Sequence, residues 1–136
     1  MKFYAITENH LYAKAFTKGR RWSGRFISVF LLRDYAAERL KRANPLKRRI
    51  NRIGISVTKK IGGAVVRNRA KRLIRAALQQ IVRTETVETG WLIVISAHPA
   101  VSAETVKSPQ VCAELRTAFC SLGLIRPDSR EDRPAD

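Results

Sequence analysis

The segment from Arg52 to Leu78, RIGISVTKKIGGAVVRNRAKRLIRAAL, constrains this chain more than any other. Ile53, Ile55 and Val57 alternate with Arg52, Gly54, Ser56 and Thr58, the period of a strand that buries one face. Gly62 and Gly63 then permit a turn. From Val66 the apolar positions Ala70, Leu73, Ile74, Ala77, Leu78 and Ile81 recur at about 100° per residue, one stripe of an amphipathic helix. Arg67, Asn68, Lys71, Arg72 and Arg75 project from the other side, with Arg69 and Arg83 toward its edge. A solvated surface helix ordinarily mixes charge signs and gains from pairs four residues apart, yet no acid occurs between Glu38 and Glu85. Like charges so placed repel unless a polyanion neutralises them.

The rest of the composition agrees. A net charge of +16 and a pI near 11.1 point to phosphate, either nucleic acid or an anionic membrane. Membrane is the weaker alternative, because the longest apolar run, Trp91 to Ala97, is far below the roughly 20 residues of a spanning helix and reads as a buried strand. The opening MKFYAITENHLYAK has no apolar h-region with a small-residue cleavage site, so no secretory signal is expected and the cytoplasm is the default location. At 136 residues one domain is expected.

Protein-borne catalysis finds little support. The acids sit at the ends and in loops, with Asp128, Glu131, Asp132 and Asp136 in a polar tail, so no carboxylate pair is placed for acid/base work. His10 and His98 stand apart from each other and from Cys112 and Cys120, which gives neither a zinc spacing nor a triad context. The two cysteines fall on one predicted helix about 12 Å apart along its axis, too far for a bridge, and read as structural thiols. Lys59 and Lys60 before Gly62 and Gly63 lack the order of a Walker loop, and no Ser or Thr follows for a metal. They fit better as a turn that brings phosphate to a helix N-terminus.

Along the chain, Thr7 can cap a first helix that runs to about Lys18, with Gly19 closing it. Arg25 to Leu32 reads as a strand, and Arg33 to Arg49 as a long, mobile basic connection. Residues 53–57, the basic helix and WLIVIS follow. His98 and Pro99 end that last strand, and Ser108-Pro109 is a cap and first-turn proline for a final helix that Gly123 ends. The expected fold is α+β, a two-layer sandwich of a small mixed sheet with helices, in the order α-β-β-(β)-α-β-α, with room for an open face or cleft. Residues 1–125 form the domain, and 126–136, rich in charge and proline, are expected to be disordered.

KKIGGAVVRNRAKRLIRAA, with its Arg67-Asn68-Arg69 core, resembles the signature of the bacterial ribonuclease P protein family. LYAKAFTKGRRWSGRF resembles that family's first helix and the approach to its first strand, and WLIVISAHP its later strand. The resemblance implies a small basic protein that binds a catalytic RNA and helps it remove 5′ leaders from precursor tRNA. The RNA itself performs the hydrolysis with magnesium held mainly by RNA, so catalytic and metal-ligating protein residues are expected to be none, and no protein partner is required. It further implies two RNA surfaces. Lys59, Lys60, Arg67, Asn68, Arg69, Lys71, Arg72 and Arg75 would contact the catalytic RNA, while Tyr12, Phe16 and Phe30 would line a cleft for the single-stranded leader.

Gly63 stands where the family commonly has Asn, and Ala76 where an acid often follows the last arginine. The family also implies a left-handed crossover around the basic helix, against the general right-handed preference. On the residues alone two alternatives stay open: a structural RNA binder of ribosomal type, and a DNA regulator, although neither a helix-turn-helix partner nor a dimer surface is visible.

Overall fold

Trp91–Ala97 lies at the centre of the sheet, as a run of apolar residues covered on both faces requires. The computed structural model describes residues 3–6, 9–34, 51–88, 90–103 and 105–125. Its elements in chain order are β1 (Phe3–Ala5), α1 (Asn9–Lys18), β2 (Arg20–Ser23), β3 (Ile27–Arg33), β4 (Asn51–Ser56), α2 (Ala64–Thr84), β5 (Trp91–Ala97) and α3 (Ser108–Ser121). Short 3-10 turns at Lys59–Ile61 and Pro99–Ser102 precede α2 and follow β5.

The sheet order is β1-β4-β5-β3-β2. β5 runs parallel to β4 and antiparallel to β3, so β4, α2 and β5 form a crossover between neighbouring parallel strands. Period-two alternation then sorts the side chains. Ile27, Val29, Leu31, Ile53, Ile93 and Ile95 join the main core with Ile74, Leu78 and Ile81 of α2 and Leu115 and Phe119 of α3. Phe30, Leu92 and Val94 face the other way and pack with Ala15, Leu11 and Tyr12 of α1. The mixed α+β fold is thus as expected, with one refinement. α2 and α3 form the helical layer on one face, while the short α1 packs on the opposite face over Phe30, Leu92 and Val94, and Ser56 and Ser96 on that face are half-buried.

Several local expectations need correction. β1 was not anticipated, because three residues are too few to show a period and it forms by parallel pairing with β4 at Phe3↔Asn51 and Ala5↔Ile53. The strand expected over 25–32 is β3 at Ile27–Arg33, hairpinned to β2, whose RRWS sequence has Trp22 as its single strand former but suits an exposed edge. Glu114 of α3 fastens the intervening turn, its Oε1 accepting from the N–H groups of Phe26 and Ile27 at 2.7 and 2.9 Å. Lys107, not Ser108, caps α3; its N–H donates to Gln110 Oε1 at 2.6 Å, and Pro109 sits in the first turn as expected. Cys112 is buried in the core and Cys120 is half-buried on the same helix, both as thiols. Thr7, residues 35–49 of the basic connection and the 126–136 tail lie outside the described residues.

Candidate nucleic-acid interface

α2 begins where Gly63, in extended conformation, hands the chain to Ala64. No side chain caps it and no acid occupies its first turn, so its leading N–H groups and partial positive charge are left available. Lys59 and Lys60 are exposed just upstream, on the turn that buries Ile61 and ends at Gly62, whose φ of 149° suits glycine. Asn68, Arg72 and Arg75 are exposed, and Arg67 and Lys71 are half-buried beside them. Arg69 departs from the expectation of a free cationic face. Its guanidinium donates to the carbonyl oxygens of Val106 at 2.9 Å and Ala103 at 3.3 Å, tying α2 to the segment before α3.

The second expected surface forms on the α1 side of the sheet. Tyr12 lies over Gly54 of β4, where only a residue without a side chain leaves room for the phenol ring. Burial pushes the Tyr12 pKa above its ordinary value, so the hydroxyl is a neutral donor. Phe16 is 41% exposed, and its ring meets Phe30 edge-on at 4.8 Å between centroids and 88° between planes. Phe30 itself is only 9% exposed. The structure therefore brings all three aromatics to one face but does not leave Phe30 open for a base. Phe30 is the bracket on which Phe16 rests.

Beside these aromatics runs a feature that sequence reasoning missed. Ser23 pairs with Ser28, Ser28 with Ser96 and Ser96 with Ser56, so four serines stand in register across β2, β3, β5 and β4. At about 4.8 Å per strand the row spans roughly 14 Å. Ser23 Oγ and Ser28 Oγ are 2.9 Å apart, and His98 Nε2 lies 2.7 Å from Ser28 Oγ and 3.4 Å from Ser23 Oγ. His98 thus does more than end a strand. Each serine occupies an α1-side position of its strand, but only the strand registers put them in one line, and no sequence period reveals those. On the same side of the sheet, Arg52 donates to both carboxylate oxygens of buried Asp34 at 2.6 and 2.8 Å.

On the face expected to form the leader groove, exposed Phe16 and half-buried Tyr12 stand on the same side as a row of serines, Ser23 exposed, Ser56 and Ser96 half-buried and Ser28 buried, and the cationic helix lies on the other face. Among the described residues no three His, Cys, Asp or Glu side chains gather into a metal-binding group, and no helix is long and apolar enough to cross a membrane. Fold and surfaces together define a small, strongly basic α+β protein of the kind that works on polyanions.

A profile of the Ribonuclease P family matches residues 1–123, and the chain belongs to that family. It is similar to the ribonuclease P protein component of Clostridium acetobutylicum, 28% identical over 130 residues that cover 96% of this chain and 98% of the relative. That of Bacillus velezensis is 36% identical over 108 residues, covering 77% and 82%. The solved ribonuclease P protein of Staphylococcus aureus shares the fold with a TM-score of 0.69 at 23% identity, over 92% of this chain and 100% of that one. The Thermotoga maritima protein does so with a TM-score of 0.62 at 21% identity, over 79% and 87%. This chain is accordingly a protein component of ribonuclease P, a ribonucleoprotein endoribonuclease of tRNA processing.

Proposed function

We propose that the protein holds two RNAs at once: the catalytic RNA on α2 and its approach, and the single-stranded 5′ leader of precursor tRNA in the groove on the opposite face. The observation that carries this reading is the pairing of an exposed aromatic, Phe16, with the partly exposed hydroxyls of Ser56 and Ser96 on the same face of the sheet. Single strands are gripped by stacking bases on aromatics beside polar and cationic groups, worth ~1–3 kcal/mol per stacked base. Tyr12 and Phe16 supply the stacking wall, Phe30 supports it, and the half-buried Ser56 and Ser96 offer hydroxyls to ribose and phosphate, while Ser28, buried, is held by His98. On the other side Lys59, Lys60, Arg67, Lys71, Arg72 and Arg75 neutralise phosphates of the catalytic RNA and Asn68 offers its amide as a hydrogen-bond donor, while Arg69 fixes the helix that presents them.

In this reading hydrolysis belongs to the RNA, with magnesium held mainly by RNA. The protein contributes binding, orientation and charge neutralisation in the cytoplasm, without a further protein partner. The test is cleavage of a precursor tRNA by a bacterial ribonuclease P RNA at low magnesium, with and without the protein, alongside affinities for precursor and mature tRNA. Strong stimulation of correctly placed cleavage and preferential binding of the precursor are expected. Stimulation without any preference for precursor would sink the leader-binding half of the reading.

A further inference from the structure

We infer that Arg21 is a further RNA-binding residue that sets the outer, 5′ limit of the leader's footprint, an inference that rests on the leader reading above. Arg21 lies on the exposed edge strand β2, directly opposite Phe30 in the β2–β3 register, and is itself exposed. Its guanidinium carbon sits 5.6 Å from the Phe30 ring centroid. The same ring holds Phe16, which is 41% exposed. One buried ring therefore braces an exposed cation and an exposed aromatic side by side at the β2 end of the serine row. A guanidinium stacked on a ring keeps its N–H edge for a phosphate and its outer face for a base.

The groove also has a direction. Its β4 end, at Ser56, is followed three residues on by Lys59, then by Lys60, and eight residues on by the start of α2 at Ala64, the surface proposed above for the catalytic RNA. The part of the leader next to the scissile bond enters there and crosses the serine row. The 5′ part then leaves over β2, past Arg21. The chemistry is that of a phosphate and base step in single-stranded RNA, recognised without regard to base identity.

The experiment uses the full chain assembled with catalytic RNA and a series of precursor tRNAs whose leaders lengthen one nucleotide at a time. Wild-type affinity is expected to rise with length to a plateau. Arg21→Ala should bind the shortest leaders as wild type does, reach its plateau at a shorter leader, and bind the longest about tenfold more weakly. Arg21→Lys should restore the salt dependence but only part of the affinity, because it lacks the planar fork. Tyr12→Ala should lower affinity already at short leaders. If Tyr12→Ala weakens binding while the Arg21→Ala curve overlays wild type or falls equally at every length, the Arg21 inference is overturned and the leader reading stands. If neither variant changes the curve, both fall.

Discussion

Tyr12 stands over Gly54 so closely that a Cβ at position 54 would overlap its hydroxyl and ring edge. The glycine is a clearance cut into the sheet to seat one aromatic ring of the groove wall, at a position where the backbone φ is not in the left-handed region.

Gly54→Ala should therefore dislodge Tyr12. Overpacking is expected to cost about 1–3 kcal/mol of stability. Affinity for a leader-bearing precursor should fall toward that of Tyr12→Ala. The double variant Gly54→Ala with Tyr12→Ala should be more stable in urea than Gly54→Ala alone, because the clash is gone. A double variant no more stable than the single one would show that the glycine serves another purpose.

Arg69 and Arg72 are three residues apart on α2 yet should fail differently. Arg72 is exposed, so Arg72→Ala should leave the denaturation midpoint unchanged while reducing the salt slope of catalytic-RNA binding by about 0.7–0.9 for each phosphate it would otherwise neutralise. Arg69→Ala also removes donors from the Ala103 and Val106 carbonyls and should cost about 1–3 kcal/mol of stability. Equal denaturation midpoints for the two variants would remove the distinction.

Gly63 caps α2 with φ of −71°, and a Cβ there would meet nothing within 4 Å. Gly63→Asn, the residue the family commonly carries, should fit without strain. It gains a side-chain cap and restricts the unfolded chain, for a stabilisation of about 0.5–1 kcal/mol measured by urea denaturation.

Asp34 keeps 2% of its side chain exposed and Arg52 22%. Asp34→Asn leaves the arginine without this carboxylate and should cost about 3 kcal/mol, the low end for a broken buried pair because Arg52 is partly wet. Calorimetry of the free protein would measure it.

Burial raises the Tyr12 pKa above 10.0, so between the unfolded and folded values the folded state holds the proton more tightly. Its contribution to stability is whole below about pH 10 and is lost as pH rises through the raised folded value. Ultraviolet titration of phenolate, wild type minus Tyr12→Phe, should show a late-titrating tyrosine that Gly54→Ala brings back toward its ordinary value.

The elements legible in the sequence were those with long or unmixed patterns. The stripe from Ala70 to Ile81 specified α2, and the apolar run at Trp91–Ala97 specified the central strand, because burial fixes their period. β1 and β2 escaped because three and four residues are too few to show one. The aromatic wall came from a family resemblance, and the residues by themselves could not tell Phe16, which is exposed, from Phe30, which is not. The serine row depends on which strands are neighbours and in what register. Those are long-range facts, and no local pattern in RRWS, ISVFLLR or NRIGIS carries them.

Strand alternation has a consequence for how such a protein diversifies. In β3, β4 and β5 the groove takes the even-numbered positions, Ser28, Phe30, Gly54, Val94 and Ser96 among them, while the odd-numbered ones anchor α2 and α3. Adjacent codons thus answer to different selective pressures. A lineage can retune its grip on leaders through every second residue and leave the scaffold of its cationic helix intact, whereas a single-residue insertion within any of these strands would exchange the two sets at one stroke.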